Sequence, residues 1–354
     1  MRVRRIPIFL IAVLLPSAFI LSAFKAPVQA SSKDNLLRLI TVGDIYLGGA
    51  SQGYVLKDPA YVFADVQPIL SSADIAVGNL ESPLSLKGAV WLKKTWILHS
   101  DPRSVEALKA GNFSAVTMAN NHMVDYGPAA LEETLRILDQ NGIVHTGAGM
   151  NLNESRRPAI LSKKGVRIAI LAYNNTYPLE FRATSNRPGT AYGDPAWICE
   201  DIRKAHELAD IIIVTFHWSE ELRTSPKDYQ RYFAHLCIDN GAQIVLGHHP
   251  HVLQGLEIYK NSLIAYSLGN FAFGTLSTKV RDSVILQIEL DKTGLYKAIL
   301  YPVNVNNHEV ACQPKLRYGS DAVRVLTDLQ HYSSPWGTKI QIQSDGTGTI
   351  DINS

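Results

Sequence analysis

Asp210-Ile211-Ile212-Ile213-Val214-Thr215-Phe216 runs into His217-Trp218-Ser219-Glu220-Glu221, and Gln243-Ile244-Val245-Leu246 runs into Gly247-His248-His249-Pro250-His251. Each is a short apolar run of the kind a buried strand needs, and each ends in metal-ligating side chains. Between them, Pro226–Asn240 has a helical pattern and stops at Asn240-Gly241. The same design recurs along the chain. Leu36–Val42 leads to Gly43-Asp44, Ala73–Val77 to Gly78-Asn79-Leu80-Glu81, and Phe113–Met118 to Asn120-Asn121-His122. Val166–Tyr173 leads to Asn174-Asn175, and Ser262–Ser267 to Gly269-Asn270-Phe271. Helical patterns at Asp101–Ala110, Pro128–Asn141 and Asp194–Leu208 fill the intervals. The βα rhythm predicts an α/β fold with sheets covered by helices. In such folds ligands bind beyond the carboxyl ends of the strands, so donors at one strand end after another point to one shared site.

After about residue 280 the pattern changes. Ser283–Leu290 alternates, turns at Asp291-Lys292-Thr293-Gly294 and returns through Tyr296–Val305 as a hairpin. Ser320–His331 reads as a helix, and Thr338–Gln343 with Thr349–Ile352 as a terminal hairpin around Asp345-Gly346. Two long loops, Ser82–His99 and Thr176–Pro195, lie next to strand ends, where such loops are often lids or walls.

The chain has 354 residues, 46% hydrophobic and 19% charged, enough for one large core or two modest ones. Residues 1–30 stand apart. Arg2, Arg4 and Arg5 precede the uncharged stretch Ile6–Phe24, and Val28-Gln29-Ala30 resembles a cleavage site. This order is that of a secretory signal peptide, with a membrane anchor through residues 6–24 as the alternative. Either places the folded part outside the cytoplasm. No Cys near Ala30 invites a lipid anchor. The segment holds four Lys/Arg and no acid, so the formal +2 of the chain becomes −2 without it. That balance does not support nucleic acid as a partner. Cys199, Cys237 and Cys312 show neither metal spacing nor a disulfide framework.

Three His in four positions at 248–251 are hard to explain as packing, and His249 and His251 read as metal ligands. His248 ranks below them, because adjacent side chains point apart. Asn121 offers an amide oxygen, His122 a proton for a leaving group, and Asp125 a means of holding the His122 tautomer. The rival reading of that stretch is an Asn-rich turn ahead of the next helix. Asp44, Asn79, Glu81 and His217 complete the expected metal set. Gly269-Asn270 reads equally well as a tight turn. Such N and O donors without thiolate suit one or two divalent ions, Mn, Fe or Zn, and hydrolytic chemistry.

The motifs resemble the CapA/PgsA family of poly-γ-glutamate capsule biosynthesis proteins, within the calcineurin-like metallophosphoesterase superfamily. They are Val42-Gly43-Asp44, Gly78-Asn79-Leu80-Glu81-Ser82-Pro83, the run Ala119–Gly127, Gly147-Ala148-Gly149, His217-Trp218-Ser219-Glu220-Glu221, His249-Pro250-His251-Val252-Leu253-Gln254 and the run Tyr266–Phe271. The resemblance implies a four-layer α/β/β/α sandwich, a catalytic-type domain over 36–280, and residues 281–354 completing the sandwich. It implies a metal-dependent hydrolase site in an extracytoplasmic capsule protein, acting on an anionic polymer or phosphoester, with membrane-bound capsule synthesis proteins as partners. The alternatives are a non-hydrolytic component that binds or assembles the polymer, and a degenerate fold that only binds. Two departures from the wider superfamily stand out: Asp44-Ile45-Tyr46 lacks the His of its first motif, and Asn79 stands where a bridging Asp is usual. Within the family, Ser219 replaces a usual Gly.

Overall fold

A computed structural model of the chain describes residues 36–352. The expected leader, its anchor alternative at 6–24 and the linker at 31–35 lie outside the described residues. Among the described residues no helix is long and apolar enough to cross a membrane.

All seven apolar runs are strands: Leu37–Tyr46, Ile75–Leu80, Ala115–Thr117, Val166–Asn174, Ile211–His217, Ile244–His248 and Ser262–Ala265. They divide between two sheets. In one, Leu37–Tyr46, Ile75–Leu80, Ala115–Thr117 and Val144–Thr146 run parallel. In the other, Ser262–Ala265, Ile244–His248, Ile211–His217 and Val166–Asn174 run parallel. Within each sheet the carboxyl ends therefore share one edge. The C-terminal hairpin, Asp282–Asp291 with Gly294–Asn304, extends the first sheet by pairing antiparallel to Leu37–Thr41.

Side chains alternate across each strand, and the core divides accordingly. On the outer face of the first sheet, Ile40, Val42 and Ala76 pack with Phe63, Leu70, Leu108 and Leu131 from helical segments. Between the sheets, Leu37, Leu39 and Ile75 meet Ile168, Ile170, Ile211, Ile213 and Leu263. On the outer face of the second sheet, Ile212, Val214 and Val245 pack with Ile198, Ile202, Ala234 and Ile238. The result is a four-layer α/β/β/α sandwich. Each fully buried Leu or Ile contributes about 1.5–3 kcal/mol to holding the layers together.

Boundaries shift where capping groups decide them. The expected helix Asp194–Leu208 spans Pro195–Ala205, because the Asp194 side chain accepts from Ala196 and Trp197 N–H and starts the helix at Pro195. The expected strand Thr338–Gln343 pairs only over Gln341–Ile342. The Thr176–Pro195 loop carries a 3-10 turn, Leu179–Phe181, and a short strand, Gly189–Thr190, paired with Ala148–Gly149. Helix Gly319–Ser333 places Val325, Leu326 and Leu329 in the core between the sheets.

One feature of the first strand sets the site. Its first half pairs with Asp282–Asp291, and from Asp44 onward it pairs with Asn270–Phe273, with Asp44 opposite Asn270. The exchange brings backbones close at Gly43, where a Cβ would lie 1.8 Å from Gly269 O. Asp44 N–H donates to Gly269 O at 3.0 Å. Asp44 therefore lies within the strand rather than beyond its end.

Candidate metal centre

Asp44 and Glu81 are the two buried carboxylates at the centre. Asp44 accepts from Asn79 Nδ2 at 2.9 Å through Oδ1 and from His249 backbone N–H at 3.2 Å through Oδ2. Its oxygens also lie 3.1 Å from His248 Nδ1 and 3.4 Å from His251 Nδ1. Burial pushes the Asp44 pKa up, but the neighbouring His248 and His251 imidazoles outweigh it and hold the carboxyl well below its ordinary value.

Glu81 is the opposite case. Both of its oxygens are buried without a hydrogen-bond partner. Burial, and then the charge of Asp44, lift its pKa well above the ordinary value. Around Oε1 stand His217 Nε2 at 3.6 Å, His122 Nε2 at 3.9 Å and His251 Nε2 at 3.9 Å. His249 Nδ1 is also buried and without a partner. A buried, unsatisfied carboxylate among imidazoles is costly unless a cation fills the gap between them.

The donors fall into two groups, each with ligand atoms within 4.8 Å of one another: Glu81, His217 and His249, and Asp44, Glu81 and His251. Glu81 is common to both. Burial first, and the neighbouring His249 second, keep His217 well below its ordinary pKa. Burial likewise pushes His249 down to about 3. Neutral imidazole is the form that ligates. His251 differs: burial pulls its pKa down, yet Glu81 and Asp44 together raise it to about 10. Its Nδ1 lies 2.8 Å from Asn270 Oδ1, leaving Nε2 toward Glu81. The turn Gly247–His251 aims these rings by adopting left-handed backbone at His249 (φ +92°) and His251 (φ +60°). Non-Gly residues hold such conformations only where surrounding contacts impose them.

The two asparagines serve differently. Asn121 Oδ1 lies 2.8 Å from His217 Nε2, within hydrogen-bond distance and beside the donor group. Asn79 turns its amide nitrogen to Asp44 and, at 3.4 Å, to His217 Nδ1, while its oxygen accepts from Asn120 Nδ2 at 3.2 Å. In this orientation Asn79 supports a ligand rather than offering an oxygen. Asn120 builds the turn: its Oδ1 accepts from His122 and Met123 N–H at 3.1 and 3.0 Å. The turn-building and site-building readings of this stretch are thus divided between neighbouring residues.

One step outward, His122 Nδ1 lies 2.7 Å from Asp125 Oδ2. Burial pushes the His122 pKa down, against the pull of Asp125. Glu220, by contrast, is exposed and pairs with Lys227.

The family description "Bacterial capsule synthesis protein PGA_cap" matches residues 38–275. The chain belongs to this family. "PGA biosynthesis protein CapA" of Bacillus subtilis (strain 168) is 32% identical over 93% of this chain and 86% of that protein. "Capsule biosynthesis protein CapA" of Bacillus anthracis is 33% identical over 84% of this chain and 74% of that one. Among solved structures, the calcineurin-like phosphoesterase YfkN from Bacillus subtilis aligns at TM-score 0.43 and 16% identity, covering 73% of this chain and 87% of that one.

Three residues at the centre of this PGA_cap chain were not singled out as ligands or catalysts from the sequence. His248 faces Asp44, and Asn270 faces His251. Their motif was visible, but not which ring turned inward. Lys94 comes from the middle of the Ser82–His99 loop and places Nζ 2.6 Å from Asp125 Oδ1 and 2.9 Å from His122 Nδ1. Nothing in a loop of irregular composition marks which lysine folds inward.

Proposed function

We propose that the chain is an extracytoplasmic capsule-biosynthesis protein with a metal-dependent hydrolase site acting on a phosphoester or on poly-γ-glutamate. The observation that carries this reading is Glu81, whose partnerless buried carboxylate belongs to both donor groups. Asp44, Glu81, His217, His249 and His251 fit one or two divalent ions such as Mn, Fe or Zn, with Asn121 Oδ1 as a further donor. When bound, such an ion supplies a Lewis acid and lowers the pKa of water. His122 Nδ1 lies 2.7 Å from Asp125 Oδ2, which leaves His122 Nε2 facing Glu81 and the cluster. From there His122 can hold or release a proton at a leaving-group oxygen. His248 and Asn270 orient Asp44 and His251, the service that neighbours of metal ligands provide. The stretch 1–30 supports an extracytoplasmic location, and the named role of the Bacillus relatives supports the capsule polymer.

The test uses purified protein loaded separately with Mn, Fe and Zn, assayed on bis(p-nitrophenyl) phosphate and on poly-γ-glutamate. Metal-dependent turnover lost in His249→Ala supports the hydrolase. Absence of turnover on both substrates with every ion overturns it. A second reading, a non-hydrolytic assembly component, is favoured by Asn79, whose neutral amide stands where a bridging charge would hold two ions together. A deletion strain with unchanged surface polymer would remove that role.

A further inference from the structure

The loop between Glu81 and Ser100 is gathered around one residue, Asp125. Trp91 N–H donates to Asp125 O at 2.9 Å, and Leu98 N–H donates to Asp125 Oδ2 at 2.7 Å. Between them Lys94 reaches Asp125 Oδ1 at 2.6 Å and also donates to Asn121 O. Trp91 stacks on Phe181 with centroids 5.7 Å apart, and Lys94 Nζ sits 5.3 Å over the same ring. Backbone, aromatic and charge contacts thus fix the lysine where it stands.

Its position raises a question of hydrogen placement. Lys94 Nζ is 2.9 Å from His122 Nδ1, and Asp125 Oδ2 is 2.7 Å from the same nitrogen. An ammonium only donates and a carboxylate only accepts, so Nδ1 can satisfy one neighbour, not both. Lys94 donates to Asn121 O and is held beside Asp125 Oδ1 as an ion pair at 2.6 Å. Asp125 Oδ2 has only the Leu98 N–H besides the ring. The carboxylate is the nearer of the two, at 2.7 Å against 2.9 Å, which places the proton on Nδ1, donated to Asp125.

We propose that Lys94 is a positioning residue for His122. By engaging one oxygen of Asp125 and the backbone of Asn121, it keeps the other oxygen turned to the ring and the ring proton on Nδ1. Nε2 then faces Glu81 and the substrate as the working nitrogen. The role rests on the hydrolase reading above only for its kinetic consequence; the ring geometry stands apart from it.

The experiment compares zinc-loaded wild type, Lys94→Met and Lys94→Arg, using nitrogen-15 spectra of the His122 ring and kinetics on bis(p-nitrophenyl) phosphate. Wild type is expected to carry the proton on Nδ1. Lys94→Met is expected to shift the ring toward the Nε2-protonated form and to lower kcat about ten- to a hundredfold with KM little changed. Lys94→Arg is expected to restore part of both. An unchanged tautomer in Lys94→Met overturns the proposal. So does a raised KM at unchanged kcat, which would make Lys94 a substrate contact. Wild type without turnover defeats the hydrolase, yet its ring spectrum still decides the role of Lys94. Should Lys94→Met not fold, Lys94→Gln carries the same test.

Discussion

Glu81 is a buried carboxylate whose charge the metal-free fold resists. Burial and Asp44 raise its folded-state pKa well above the ordinary 4.5. A group with a raised pKa leaves the metal-free fold most stable below its unfolded value and weakens it as the pH climbs toward the folded one. Asp44 acts in reverse: held below 3.8, it withdraws stability only as the pH falls beneath that value. Metal-free Glu81→Gln should therefore gain in stability relative to metal-free wild type as the pH rises above the ordinary carboxylate range. Parallel denaturation curves for the two proteins across that range would contradict the assignment. Ser219 poses a backbone problem instead. It sits at φ +76° with its hydroxyl buried and unpartnered, while its N–H donates to Tyr229 OH at 2.5 Å. Glycine relieves both strains, so Ser219→Gly is expected to gain about 0.5–1 kcal/mol in urea melts; a loss would mean the hydroxyl has a partner. Some of this was legible beforehand. His249 and Glu81 declared themselves by standing at strand ends. The inward turn of His248 and the reach of Lys94 were not, because they depend on left-handed turns and a loop path that local composition does not encode.

Among the elements, the strand Leu37–Tyr46 does most to place the site. It changes partner midway, and the change is possible only because Gly43 and Gly269 O can touch. Gly43→Ala would drive a methyl into that carbonyl. It should cost about 3 kcal/mol or more and pull Asp44 off its partners, so metal affinity should fall together with stability. A stable Gly43→Ala protein with wild-type metal binding would show that the pairing is not what places Asp44. Strand existence was plain from the apolar runs, since each is continuous and buried on both sides. Their ends were not: Asp44 and Asn79 lie inside strands, where pairing with Asn270 and Thr117 continues past the last apolar residue. The Ser82–His99 loop was recognisable by length, but its docking on Asp125 rests on contacts across the fold.

At the scale of the whole molecule, the two sheets exist to bring separate strand ends together. Asp44, Asn79 and Glu81 come from one sheet, His217 and the 248–251 turn from the other, and they meet as direct neighbours. A cation between the sheets would tie them, so chelation should lower the melting temperature. Saturation at a hundredfold over Kd corresponds to about 2.7 kcal/mol of added stability. The most direct test is metal content by elemental analysis, after loading with Mn, Fe or Zn and exhaustive dialysis. Wild type is expected to retain at least one ion per chain, and Glu81→Gln, though folded, to retain markedly less. Wild type that retains none, or Glu81→Gln that retains as much, would contradict the claim that these residues form a metal centre.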